Sequence, residues 1–161
     1  MKYNYVEELM TSPAITCEYT TPIKNAISIM KDNNIGFLPL TKKGILIGLV
    51  TDRDILIRGI GTYKLNTKIE KVMTNGNIWF VHPKTPLKEA AKIMAEQKIR
   101  RLVVINDGKV IGIITTKNML NEESLIPFIA KTYLSNKHLP LYSKYTNHNP
   151  HDSIKVSDFP L

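Results

Sequence analysis

The sequence predicts an α+β fold in which two β-α-β-β-α repeats pack through their sheets. Three observations predict it: a tandem repetition, an apolar helical face in each copy, and a pair of β-rich runs in each copy. The repetition begins with Met10-Thr11-Ser12-Pro13-Ala14-Ile15, which returns 63 positions later as Met73-Thr74-Asn75-Gly76-Asn77-Ile78. From Pro22 the offset is 64, and 12 of the 35 positions up to Leu56 are identical to their counterparts, far above chance.

Each copy is expected to read as follows. A short apolar strand, Ala14–Cys17 or Ile78–Val81, leads into Thr-Pro, where threonine caps a helix and proline takes its first position. Ile23, Ala26, Ile27 and Met30, repeated as Leu87, Ala90, Ala91 and Met94, form one helical face. Then come Phe37–Leu40 and Ile45–Val50 joined by Lys42-Lys43-Gly44, repeated as Leu102–Ile105 and Val110–Ile114 joined by Asn106-Asp107-Gly108, a hairpin signal. A further helix starts at Thr51 or Thr115. A unit of about 55 residues is marginal alone, so the copies should share their sheets. The organisation is therefore residues 1–66 for the first repeat, 67–133 for the second with a C-terminal helical extension, and 134–161 for a polar tail. In the extension, Leu125, Ile126, Phe128, Ile129 and Tyr133 make an apolar face for the module's own sheet or for a dimer contact. Pro127 marks a break or a fresh helix start.

Composition bounds the function. The chain has 161 residues with net charge +8, so an anionic partner is favoured. Residues 1–68 carry +3, residues 69–121 carry +5 and residues 122–161 are neutral, with no Lys/Arg block longer than two. A basic nucleic-acid tail is thus absent. One cysteine precludes a disulfide framework and fits a reducing compartment. No apolar run nears the ~20 residues of a membrane span, and Met1–Glu8 lacks the apolar stretch of a signal peptide. A cytoplasmic protein without membrane contact is expected.

No catalytic residue is assigned. The nucleophile-elbow, phosphate-loop and dinucleotide glycine motifs are missing, and Gly59-Ile60-Gly61 reads as a helix end. Cys17 reads as a small buried side chain, and His82, before Pro83, as a solvated turn residue. His138, His148 and His151 lack the spacing of a zinc site, so no metal is expected and no cofactor is required.

The informative element is Gly48-Leu49-Val50-Thr51-Asp52-Arg53-Asp54 with its partner Gly112-Ile113-Ile114-Thr115-Thr116-Lys117-Asn118. Read locally, each is a strand entering a helix through a Thr-x-x-Asp or Thr-x-x-Asn capping box. Read functionally, a hydroxyl and a carboxylate at a helix start face one point, and a carboxylate accepts hydrogen bonds from both hydroxyls of a ribose. Arg53 or Lys117 beside them favours phosphate. A cap can serve both roles.

The repeated unit, the Met-Thr opening, the Thr-Pro helix start and the Gly-h-h-Thr-x-x-Asp/Asn ending (h, apolar) together resemble a tandem pair of cystathionine-β-synthase (CBS) domains, a Bateman module, over about residues 6–121. The resemblance implies pseudo-twofold symmetry, two clefts between the repeats for AMP, ADP, ATP or S-adenosylmethionine, a sensing role, and assembly as a homodimer. It places ribose contacts on Thr51 and Asp54 in one cleft and Thr115 and Asn118 in the other. Adenine contacts fall on Ile15 and Thr16 in the first repeat and Ile78 and Trp79 in the second, with Gly36, Phe37, Leu38, Pro39 and the Arg100–Val104 strand completing the clefts. Phosphate would meet Arg100, Arg101 and Lys117 in the Thr51/Asp54 cleft and only Arg53 in the other. Asn118 departs from the commoner aspartate and lacks its charge, so the Thr51/Asp54 cleft is expected to bind more tightly. The expected function is a regulatory nucleotide-sensing module acting on an unidentified protein effector. The alternatives are nucleic-acid binding through the basic surface, which is less favoured, and a ligand-free dimerisation scaffold.

Overall fold

The structure, a computed structural model, describes residues 2–134 and 153–155. The remainder of the polar tail, with its three histidines, lies outside the described residues. The chain divides into two compact units. The first is built chiefly from residues 15–78 with 108–110, the second from residues 2–14, 79–107 and 111–134. Each unit therefore holds the body of one repeat and the opening segment of the other.

In the first unit, β1 (Cys17–Glu18) runs parallel to β2 (Phe37–Lys42), with Cys17 opposite Leu40. Helix α1 (Ile23–Asp32) connects them, and β3 (Ile45–Thr51) returns antiparallel to β2 with Phe37 opposite Thr51. Lys43 (φ 55°) and Gly44 (φ 84°) make the tight turn with two left-handed residues, the backbone that matches strand twist. Helix α2 (Asp52–Asp54) then passes into a π-helical turn, Ile55–Gly59. Leu38, Leu40, Val50 and Ile23 are almost wholly buried together.

The second unit repeats this plan with β4 (Asn77–Val81), α3 (Leu87–Gln97), β5 (Arg101–Asn106) and β6 (Lys109–Thr115). Strand β4 is parallel to β5 in the register Phe80–Val103, and Asp107 (φ 48°) and Gly108 (φ 75°) turn the chain into β6. Leu87, Met94, Leu102 and Ile114 form the core. After β6 only a 3-10 turn, Lys117–Met119, follows where a helix is expected. Asn121 is a poor helix former, and the chain turns to drop Leu125 into the core. Helix α4 (Ile126–Leu134) then begins afresh, with Pro127 in its first turn as anticipated. It packs on α3 with Ile129 buried and Leu134 and Tyr133 exposed. Strand β7 (Ser153–Lys155) is the last described element.

Two local expectations are corrected. The first strand is Cys17–Glu18 instead of Ala14–Cys17, because the preceding residues pair elsewhere. Thr11 exchanges backbone hydrogen bonds with Ile113 (2.8 and 3.0 Å), and Ala14 N–H donates to Ile111 O at 3.2 Å. The threonines of Thr21-Pro22 and Thr85-Pro86 do not cap their helices either. The prolines take the cap position, and the first free N–H groups find carbonyls from the exchanged segments instead. Ile23 donates to Thr67 O and Leu87 to Asn4 O, both at 2.9 Å.

The exchange is held by matched apolar anchors. Val6 and Ile69, 63 positions apart, are both fully buried, each in the unit built around the other repeat. The Met-Thr pairs lie on the glycines of the opposite strand. A Cβ on Gly48 would stand 2.5 Å from Met73 Sδ, and one on Gly112 would stand 2.6 Å from Met10 Sδ. Backbone carbonyls of Thr74 and Thr11 close the same space at 3.3 and 3.1 Å. Gly48→Ala is therefore expected to overpack this contact and cost about 1–3 kcal/mol of stability in urea denaturation. Met73→Ala in the same chain should recover part of that loss, a non-additivity that a contact elsewhere would not produce.

Cys17 is buried as expected, and burial pushes its thiol up from 9.0 to about 11; a hydrogen bond from Thr21 lowers it and the Glu18 charge raises it further. The folded state thus retains a proton that the unfolded state releases above pH 9. The associated stability is complete below pH 9 and disappears between pH 9 and 11. Maleimide labelling at pH 8 should be slow in the native protein and fast in denaturant, and Cys17→Ala should flatten the fall in stability across that alkaline window.

Candidate functional site

The Thr-x-x-Asp and Thr-x-x-Asn motifs form near-identical caps at the ends of β3 and β6. In the first unit, Asp54 N–H donates to Thr51 Oγ1 at 3.1 Å, and Thr51 N–H donates to Asp54 Oδ2 at 2.9 Å. In the second, Asn118 N–H donates to Thr115 Oγ1 at 3.2 Å, and Thr115 N–H donates to Asn118 Oδ1 at 2.9 Å. The reciprocal hydrogen bonds of a capping box therefore form in both copies, at a helix start in the first and ahead of a 3-10 turn in the second.

Chemically the caps differ. Asp54 is acceptor-only, buried to 9% exposure, and keeps lone pairs beyond the one given to Thr51. Asn118 Oδ1 also takes the Thr115 hydroxyl at 2.5 Å, so this oxygen is doubly engaged within the cap and the side chain's other polar group is an N–H donor. The first cap can accept hydrogen bonds from hydroxyls; the second is set to donate one. A charged acceptor makes the stronger bond.

Backbone pairing gathers other expected residues around each cap. In the first unit Gly36 O accepts Asp52 N–H at 3.2 Å, and Phe37 lies opposite Thr51. A Cβ at Gly36 would lie 2.6 Å from Asp52 Oδ2, so the chain approaches the cap as closely as a glycine permits. Leu38 turns into the core and is fully buried, leaving only its backbone for a ligand. Pro39 is buried as well, opposite Leu49. Ile15 and Thr16 precede β1, with Ile15 exposed, and Arg53 is exposed on the first turn of α2. Ile78 is buried in the same unit.

The second unit has the matching bond, Thr116 N–H to Arg100 O at 2.9 Å, so Arg100 and Arg101 run beside Thr115. Arg100 is exposed just before β5, yet it has a neighbour. Its guanidinium lies over the Tyr133 ring, 5.9 Å from the centroid, and the Tyr133 hydroxyl pairs with Thr116 Oγ1 at 3.0 Å. Helix α4 thereby reaches a cation expected to meet phosphate. Lys117 is exposed and Trp79 packs partly against the core. His82 sits in its turn, paired with Asn106 Oδ1 at 3.1 Å.

Sequence reasoning passed over Arg58, which pairs with Asp54 at 2.8 Å, and Glu122, buried with one oxygen accepting Lys2 N–H at 3.0 Å. Both lie four residues beyond the motif's last position, a spacing at which helical side chains meet. That spacing was the available signal. Among the described residues no cluster of His, Cys, Asp or Glu could hold a metal, and no helix is long and apolar enough to cross a membrane.

Comparison with known proteins matches this architecture. The CBS domain family model fits residues 6–60 and again 69–124. The CBS domain-containing protein YhcV of Bacillus subtilis is 31% identical over 124 residues, 74% of this chain and 88% of its own length. Hypoxic response protein 1 of Mycobacterium tuberculosis is 30% identical over 122 residues, 71% of this chain and 85% of its own. Among solved structures, the CBS domain pair of protein MJ0100, in complex with 5-methylthioadenosine and S-adenosyl-L-methionine, superposes with a TM-score of 0.63 and 28% identity, covering 73% of this chain and 93% of that one. The CBS domain protein PAE2072 from Pyrobaculum aerophilum, complexed with AMP, has the same fold at a TM-score of 0.67 and 22% identity, over 78% and 98%. With two matched repeats, exchanged openings and paired Thr-x-x-Asp/Asn caps, the chain belongs to the CBS domain family and carries a tandem pair of its domains.

Proposed function

We propose that this chain is a non-catalytic regulatory module that binds an adenosine-containing ligand and transmits its presence to a protein effector. The observation that carries the reading is the Thr51/Asp54 cap. A nearly buried carboxylate with spare lone pairs lies in α2 just past the end of β3, near the close approach of Gly36 and the ring of Phe37. Such an acceptor suits vicinal hydroxyls, and a flat apolar flank suits a purine. The ligands named for the MJ0100 pair, both adenosine derivatives, support the same class. Arg53, Arg100, Arg101 and Lys117 are the phosphate cations of this reading, and the lone reduced cysteine accords with a cytoplasmic location. Signalling is differential binding: a ligand moves the equilibrium only by its unequal affinity for two arrangements.

Calorimetry with AMP, ADP, ATP and S-adenosylmethionine tests the reading. At least one should bind, and Asp54→Ala should weaken it more than Asn118→Ala does, by roughly ten- to a hundredfold, as expected for a lost bond to a charged group. Equal losses would overturn the ranking of the two caps. Binding of none, alongside salt-sensitive binding of an oligonucleotide, would move the function to the basic surface.

Homodimerisation belongs to the same proposal. Leu56, Ile57 and Ile60 on the turn after β3 are each more than half exposed, beside a cavity of about 630 Å³ bordered by Ile27, Met30 and Ile35. Exposed apolar side chains in such a cluster mark an association surface, and a second copy is the occupant proposed. Leu56→Asp with Ile57→Asp is expected to convert a dimer to a monomer in analytical ultracentrifugation. A wild-type chain that sediments as a monomer would dispose of the idea.

A further inference from the structure

The Asp54 carboxylate has a second partner that its motif does not announce. Arg58 Nη2 lies 2.8 Å from Asp54 Oδ1, and the same nitrogen donates to Thr74 Oγ1 at 3.0 Å. Oδ2 meanwhile accepts Thr51 N–H at 2.9 Å, so both oxygens are held. The two side chains are 11% and 31% exposed, which shields the pair from much of the screening that weakens surface ion pairs. Thr74, the far anchor, is itself fixed to β3 by two backbone hydrogen bonds with Leu49, of 2.7 and 2.9 Å. Asp54, Arg58, Thr74 and β3 thus form a closed loop of contacts around one carboxylate.

A carboxylate offers about four lone-pair positions, of which these contacts use two. The remaining two are left on a group whose rotation the pair of anchors prevents. At the matching position of the second repeat stands Glu122, not a cation, and the carboxylate of Asp54 is replaced there by the Asn118 amide. The arrangement is confined to the first repeat.

We propose that Arg58 is a positioning residue for ribose recognition: it holds Asp54 so that the free lone pairs meet the 2′ and 3′ hydroxyls, without touching the sugar. The proposal rests on the adenosine-binding reading above. A residue that merely stabilises the fold would weaken every ligand alike; one that orients the ribose acceptor acts only where hydroxyls are present.

The experiment measures AMP and ATP against their 2′,3′-dideoxy analogues by calorimetry. Wild type should prefer the ribose forms. Arg58→Met is expected to shrink that preference about tenfold while leaving dideoxy affinity within roughly twofold, the loss of one oriented charge-assisted contact. Arg58→Lys should restore part of it, and Thr74→Val, which removes the far anchor but keeps the ion pair, should fall between. Those two variants carry the test if Arg58→Met does not fold. Equal weakening of both ligand types, an unchanged preference, or tighter ribose binding by Arg58→Met would each overturn the proposal. If wild type binds these nucleotides but ignores the hydroxyls, Arg58 has no such role although nucleotide binding stands. If wild type binds neither nucleotide nor analogue, the adenosine reading fails and this one with it.

Discussion

The contact between a methionine of one opening segment and a glycine of the other repeat's strand is the constraint on which the rest of the structure hangs. A side chain of any size at Gly48 or Gly112 would displace a sulfur and a backbone carbonyl together. The same contact sets the Met-Thr segment against Leu49 or Ile113, and from there the chain reaches Thr51 or Thr115 two residues later. Val6 and Ile69 anchor the far ends of these segments in fully buried positions. The segments also supply the carbonyls that satisfy the first N–H groups of α1 and α3, so one exchange serves strand, helix start and core at once.

This placement bears directly on the ligand chemistry. The caps are not loops free to adjust; each ends a strand whose other edge is already occupied by a Met-Thr backbone. Asp54 gains more from this than Asn118, because Thr74 is near enough to share Arg58 with it. The corresponding threonine, Thr11, faces a repeat with Glu122 where an arginine would be required. The backbone is nearly symmetric between the repeats, and the charges on it are not.

Much of the fold was legible because it rests on periodic patterns. The helical faces, both hairpin turns and the Thr-x-x-Asp/Asn caps follow from spacing and from residues that tolerate left-handed backbone. What escaped was whatever depends on distant residues. Thr21 and Thr85 carry a good cap signal, yet carbonyls from Thr67 and Asn4 displaced them, and no local pattern foretells a donor's partner over 40 residues away. The shortening of the first strand has the same origin, since Thr11 and Ala14 are committed to Ile113 and Ile111. At the site, the cap residues were found by motif, whereas the burial of the Leu38 side chain could not be read, because a strand buried at most positions shows no alternation that says which face is which. Tyr133 lay in an apolar helix pattern that gave no sign of the Arg100 contact.

The unequal caps also bear on what a sensor of this design must do. Two identical sites would titrate together and report only total ligand. On the proposed reading, a charged acceptor in one repeat and an amide in the other would separate the two affinities by the difference between a charge-assisted bond and a neutral one. The second unit then adds a contact absent from the first: Tyr133 of α4, beyond the matched family segment, lies over Arg100 and bonds Thr116. Any anion that draws Arg100 away must also loosen this helix, at a cost on the order of one cation–π contact, about 0.5–1 kcal/mol where the pair is exposed. Because linkage is reciprocal, a partner that grips α4 and pulls Tyr133 aside would raise anion affinity by the same factor.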